Sequence, residues 1–141
     1  MDVNALFAAT KTIAIVGMST RPDRPSHMVA TYMQDAGFRI VPVNPAYVGQ
    51  QILGETFVAT LADAPVPVDI VDCFRRGEDM VEVAQAAAAM RPLPKVLWMQ
   101  LGVENEEAAK IALDAGIEVV QNQCVEIEFM ALQRQKMRDI S

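Results

Sequence analysis

The residues able to do chemistry gather in a few short stretches. The richest is Gly17-Met18-Ser19-Thr20-Arg21-Pro22-Asp23-Arg24-Pro25-Ser26, where a glycine, hydroxyls and two guanidinium groups share one loop. Glycine lets backbone approach a ligand closely. Ser19, Thr20 and Ser26 offer hydroxyls. Arg21 and Arg24, joined by Arg75 and Arg76 further on, match phosphate oxygens in geometry as well as charge. A helix starting after such a loop would turn its N-terminus and backbone N–H groups toward the same space, which favours an anion. A single loop arginine is as readily a solvated surface charge, so the inference rests on the set. The chemistry it implies is capture of a phosphate-bearing small molecule.

The surrounding elements explain why these stretches would meet. Apolar, β-branched runs at 12–16, 38–43, 68–74, 95–100 and 117–120 read as strands buried on both faces. Helical periodicity runs from Ser26, read as an N-cap, to Gly37, and again over 78–90, 105–115 and about 124–137. Residues 46–57 read as an irregular loop, and 60–63 as a short helical turn before Pro65 and Pro67. Alternation of this kind predicts an α/β fold: a doubly wound, Rossmann-like parallel sheet of five strands in three layers, with expected order 3-2-1-4-5. Ligands of such sheets bind beyond the carboxyl ends of the strands. Those ends carry the 17–26 loop, then Asn44-Pro45, Phe74-Arg75-Arg76, Gln100-Leu101-Gly102 and Asn122-Gln123-Cys124.

Composition narrows the classes further. The chain has 141 residues, is 52% hydrophobic and 21% charged, and carries a formal net charge of −6. Those values fit one folded domain over 1–141 and exclude a disordered chain. An acidic balance argues against nucleic-acid or membrane-surface binding. It leaves room for a local arginine cluster acting within a Debye length of about 8 Å. Cys73 and Cys124 stand far apart with no CxxC or Cys/His spacing, so no metal site is expected. The start, Met1 to Leu6, is short and carries Asp2, and no apolar run approaches the ~20 residues of a membrane span. The expectation is a cytoplasmic protein with free thiols.

The 17–26 loop departs from two well-known phosphate motifs. G-x-G-x-x-G is absent because Ser19 stands at the second glycine, and no Asp or Glu ends the second strand to meet a ribose. No G-K-[ST] follows either, which excludes a P-loop.

Taken in order, Ile15-Val16-Gly17-Met18-Ser19, Arg24-Pro25-Ser26, Val43-Asn44-Pro45, Asp69-Ile70-Val71-Asp72-Cys73-Phe74-Arg75, Leu97-Trp98-Met99-Gln100-Leu101-Gly102, Asn122 and Cys124 resemble the small single-domain coenzyme A (CoA)-binding proteins. These are relatives of the CoA-binding domain of the succinyl-CoA synthetase α subunit. The resemblance covers about residues 8–132. It implies that Gly17, Ser19 and the loop to Arg24 meet the CoA phosphates. Val43, Asn44 and Pro45 would line the adenosine region. Phe74 and Arg75 would flank the nucleotide, and Gln100 and Gly102 would border the pantetheine path. Met18 departs from the small residue, commonly Ala, that the family implies; a flexible Met can be accommodated.

No catalytic set is legible. The α subunit uses a phosphorylated His in a second domain, and His27, the one histidine here, sits at a helix start instead. No Ser/His/Asp or Cys/His constellation is present. Asp69 and Asp72 do not form an acid/base pair, although Asp72 could orient Arg75. Cys124, at a helix N-terminus, could exchange with the CoA thiol, or serve as a small core residue. The reading is therefore a module that binds CoA or an acyl-CoA without catalysis of its own. The alternatives are a small NAD(P)-type enzyme and an interaction subunit of an acyl-CoA ligase-like complex; a homo-oligomer is also open.

Overall fold

The apolar runs lie in a parallel sheet whose strands are hidden on both faces. In the computed structural model, which describes residues 1–140, the elements are α1 (Val3–Ala9), β1 (Thr12–Val16), α2 (Pro25–Asp35), β2 (Arg39–Val43), β3 (Gln51–Ile52), β4 (Glu55–Thr56), β5 (Ile70–Cys73), α3 (Met80–Ala88), β6 (Val96–Met99), α4 (Glu106–Asp114), β7 (Glu118–Val120) and α5 (Val125–Ile140). One layer, α1, α2 and α5, covers Ile13, Ile15, Ile40, Ile70, Val96 and Trp98. The other, α3 and α4, covers Ala14, Val16, Val41, Val71, Leu97 and Met99. Ala84, Ala87, Ala108 and Ala112 are wholly buried there, so small side chains let both helices lie close on the sheet. The remaining alanines of 86–89 are partly or fully exposed, and helix propensity accounts for them.

The three-layer parallel α/β architecture is the expected one, but the strand order is not. The main sheet runs β2-β1-β5-β6-β7, or 2-1-3-4-5 counting main strands, in place of 3-2-1-4-5. Pro42 supplies the reason. Within β2, Val43 turns its carbonyl toward β1 and accepts the Gly17 N–H, whereas Pro42 faces outward and its carbonyl accepts the Val58 N–H at 3.0 Å. Proline has no N–H to give a further strand, which confines β2 to the sheet edge. Val58 bridges Val43 on that outer edge. The third main strand, β5, packs beside β1 instead, and the connection from β2 crosses over β1. Asp69 pins that placement. Its carboxylate accepts the Lys11 and Thr12 N–H groups at 2.8 and 3.1 Å and the Lys95 ammonium at 2.7 Å, tying the starts of β1, β5 and β6. Burial works against its charge, but those hydrogen bonds and the Lys95 charge outweigh burial and hold its pKa below the ordinary 3.8.

Two local features go beyond the sequence reading. The segment before Thr12 forms α1, capped by the Asp2 carboxylate on the Ala5 N–H at 3.1 Å, and buries Leu6 and Phe7. Residues 51–56 form a small antiparallel hairpin, β3 with β4. Among the described residues no helix is long and apolar enough to cross a membrane.

Phe7 closes an aromatic cluster, with ring centroids 5.2 Å from Phe129, 6.0 Å from Trp98 and 6.1 Å from Phe38. Phe7→Ala should therefore lower stability by about 3–5 kcal/mol, read as a reduced urea midpoint. A change below 1 kcal/mol would show that α1 adds little to the core.

Candidate functional site

The switch point of the sheet lies between β1 and β5, and the loops leaving their carboxyl ends touch. Gly17 ends β1 with φ +82°, and its N–H reaches the Val43 carbonyl at 2.8 Å. A Cβ at Gly17 would fall against the Phe74 carbonyl oxygen and 2.9 Å from Cδ of Arg75. Any other residue would be both strained and blocked. Asn44 joins the second loop to the first. Its Nδ2 donates to the Met18 carbonyl at 3.0 Å, and its Oδ1 accepts the Ala46 N–H at 3.0 Å. The turn of 17–26 is closed internally as well. The Ser26 hydroxyl accepts the Ser19 N–H at 2.9 Å, and the Ser19 hydroxyl accepts the Arg21 N–H at 3.1 Å. Ser26 is thus not the helix cap. Arg24 holds that position, and Pro25 begins α2 with its φ preset and no N–H to satisfy.

These loops enclose a cleft of about 530 Å³, walled by Gly17, Ser19, Ser26, Asn44 and Phe74. Arg21 and Arg24 also reach it. Arg21 pairs with Asp23 at 3.2 Å and is largely exposed. The Arg24 guanidinium has no hydrogen bond or ion pair among the described residues. It stands beside the N-terminus of α2, whose dipole adds to its positive potential.

Two further clefts open at the same strand ends. One of about 160 Å³ is bordered by Val16, Val43, Pro45, Thr60, Leu61 and Arg75. The other, about 570 Å³, has Phe74, Arg75, Gln100, Cys124, Leu101 and Glu126 in its wall. Phe74 and Pro25 line both large clefts. Arg75 pairs with Asp79 at 3.4 Å, while Arg76 pairs with Glu78 at 2.9 Å and with Asp79 at 3.3 Å. The hydrogen bond to Arg76 holds the Asp79 carboxyl below its ordinary pKa, with Arg75 adding to the effect. Gln100 is buried, and its Oε1 accepts the Val125 N–H at 3.0 Å, so it caps α5. Cys124 directly precedes that helix and is 8% exposed.

Some residues of the predicted set take other positions. Met18 is fully buried and sends its side chain into the core, leaving only its backbone at the turn. Thr20 is half-buried with no polar partner among the described residues. Gly102 and Asn122 meet each other, the Gly102 N–H donating to Asn122 Oδ1 at 2.8 Å, and lie outside the linings of these clefts. Asp72 does not orient Arg75. It sits on β5 in register with Ile15 and Trp98, wholly buried, without a hydrogen-bond partner among the described residues. Burial pushes its pKa well above 3.8; the adjacent Cys73 N–H, not in bonding geometry, opposes this only weakly. Tyr47 and Glu126 line the clefts without having been singled out in the sequence, and Leu101, named there only as part of a strand-end motif, lines the second. Tyr47 could have been found as an aromatic one turn beyond Asn44-Pro45. No group of three or more His, Cys, Asp or Glu among the described residues could hold a metal ion.

Comparison with known proteins decides the family. The family model described as a CoA binding domain matches residues 11–130. The chain belongs to the CoA-binding domain family. The uncharacterised protein YneT of Bacillus subtilis (strain 168) is 39% identical over 126 residues, 89% of this chain and 90% of YneT. A structure from Thermus thermophilus, cell-free ID.343, superposes with a TM-score of 0.88 at 37% identity, covering 93% of this chain and 96% of that one. At the level of fold alone, part of the dinucleotide forming acetyl-coenzyme A synthetase 1 of Ca. Korarchaeum cryptofilum is similar, with TM-score 0.68 and 19% identity over 84% of this chain and 27% of that one.

Asp72 also sets a pH dependence within this CoA-binding domain. The native state keeps the proton that the unfolded chain loses above about 3.8. Its contribution is thus fully present below that pH and is lost as pH rises toward the folded pKa, at up to about 1.4 kcal/mol per pH unit. Denaturant unfolding of Asp72→Asn between pH 4 and 8 should lack this component of slope. Parallel stability curves for the two proteins would show that Asp72 is ionised in the fold.

Proposed function

We propose that this protein binds CoA or an acyl-CoA across the carboxyl ends of β2, β1 and β5, without catalysis of its own. The observation that carries the reading is the unpaired Arg24 guanidinium beside the start of α2, facing one cleft with Ser19 and Asn44. Free positive charge at a helix N-terminus in a chain of net charge −6 suits phosphate groups. The proposed arrangement sets the phosphates against Gly17, Ser19, Arg21 and Arg24. Adenosine lies by Asn44 at the edge of the first cleft and by Val43 and Pro45 in the small one, with Arg75 at its border. Pantetheine follows Phe74 and Gln100 into the second large cleft. Ser19 in place of a second glycine, and Asn44 where an acidic residue would meet a ribose, argue against a nicotinamide dinucleotide.

The test is differential scanning fluorimetry followed by calorimetric titration. CoA at about a hundredfold excess over its Kd should stabilise the fold by about 2.7 kcal/mol and raise the melting temperature by several degrees, whereas NAD should not. Arg24→Ala should weaken CoA binding by roughly 1.5–3 kcal/mol, and by more than Arg21→Ala, because Arg21 is already paired with Asp23. A melting temperature unmoved by CoA would refute the reading.

A further inference from the structure

The second large cleft contains one charged group without a partner. Its two arginines are committed, Arg75 to Asp79 and Arg76 to Glu78 and Asp79. Glu126, in the first turn of α5, has no hydrogen bond or ion pair among the described residues, and burial raises its pKa above the ordinary 4.5. Around it the wall is apolar: Val29, Phe74, Leu101, Val103 and Cys124. Leu101 is 60% exposed, which leaves aliphatic surface open to a ligand.

The helix end beside Glu126 is not an anion site. A free helix N-terminus would attract a carboxylate. Here Gln100 Oε1 already accepts the Val125 N–H, and Glu126 and Glu128 both stand in the first turn. The dipole is compensated from within the chain, and an arriving carboxylate would meet Glu126 with no unpaired cation in the cleft to offset it.

We propose that this cleft takes an uncharged aliphatic acyl group carried on the CoA thiol, and that Glu126 rejects acyl groups ending in a carboxylate. The inference rests on the CoA reading of the site and adds its acyl preference. The apolar wall removes an alkyl chain from water, contributing about 25 cal/mol per Å² of surface covered. A second carboxylate beside Glu126 would be disfavoured by like-charge repulsion in a partly desolvated space.

Isothermal titration of the full chain with CoA, butyryl-CoA and succinyl-CoA tests this, the two acyl groups having equal carbon number. Butyryl-CoA should bind at least as tightly as CoA, and succinyl-CoA about tenfold or more weakly than butyryl-CoA. Glu126→Gln should close the succinyl–butyryl gap to within about threefold, as expected when like-charge repulsion is removed. Leu101→Ser should reduce the advantage of butyryl-CoA over CoA. Equal affinities for the two acyl-CoAs, or a gap that persists in Glu126→Gln, would overturn the proposal. Failure of CoA itself to bind would overturn the reading of the whole site, an outcome distinct from CoA binding without acyl discrimination.

Discussion

Gly17 lies so close to the backbone of Phe74 that no side chain fits between them, and its φ of +82° is one that other residues resist. That clearance brings the loop after β1 against the loop after β5. The Gly17 N–H on the Val43 carbonyl and the Asn44 side chain on the Met18 carbonyl add the loop after β2. Three strand ends become one surface because β1 has β2 on one side and β5 on the other. In the order 3-2-1-4-5, β5 would lie outside β2 and could not approach Gly17. The edge position of β2, enforced by Pro42, is thus as much a part of the site as the arginines are.

Charge is distributed along the same logic. At the amino ends of the strands Asp69 is fully employed, accepting from two backbone N–H groups and Lys95. In the interior Asp72 is buried without a hydrogen-bond partner among the described residues, and burial pushes its carboxyl pKa well above the ordinary range. At the carboxyl ends Arg21, Arg75 and Arg76 are each paired with a nearby carboxylate, while Arg24 is left unpaired at the start of α2. The first cleft is therefore positive and the second nearly neutral or negative, although the same Phe74 and Pro25 line both. Such a gradient suits a ligand with anionic groups at one end and an uncharged arm at the other.

The strands were legible because parallel strands buried on both faces need uninterrupted apolar runs, and residues 12–16 and 95–100 supply them. Helix ends were legible where a side chain caps them, as Asn105 does for α4. Strand order depended on Pro42, which reads in sequence as a strand terminator but acts in the sheet as an edge marker. Met18 was misleading for a geometric reason. The positive φ of Gly17 breaks the alternation of β1, so Met18 packs in the layer of Ile13 and Ile15 and not in that of Ala14 and Val16, leaving only its backbone at the turn. Leu101 was placed by its strand end, although its side chain carries no residue-type signal. Glu126 enters the site only because the start of α5 folds toward α2, a tertiary arrangement that local pattern does not encode.

The claim that the touching loops of β1, β2 and β5 form one ligand surface is tested most directly by a residue-assigned amide NMR titration with CoA. The account predicts shifts concentrated at residues 17–26, Asn44, Phe74 and Arg75, saturating together with a single Kd. Shifts centred instead on the opposite edge, around Lys11, Asp69 and Lys95, or no saturable shifts at all, would contradict it.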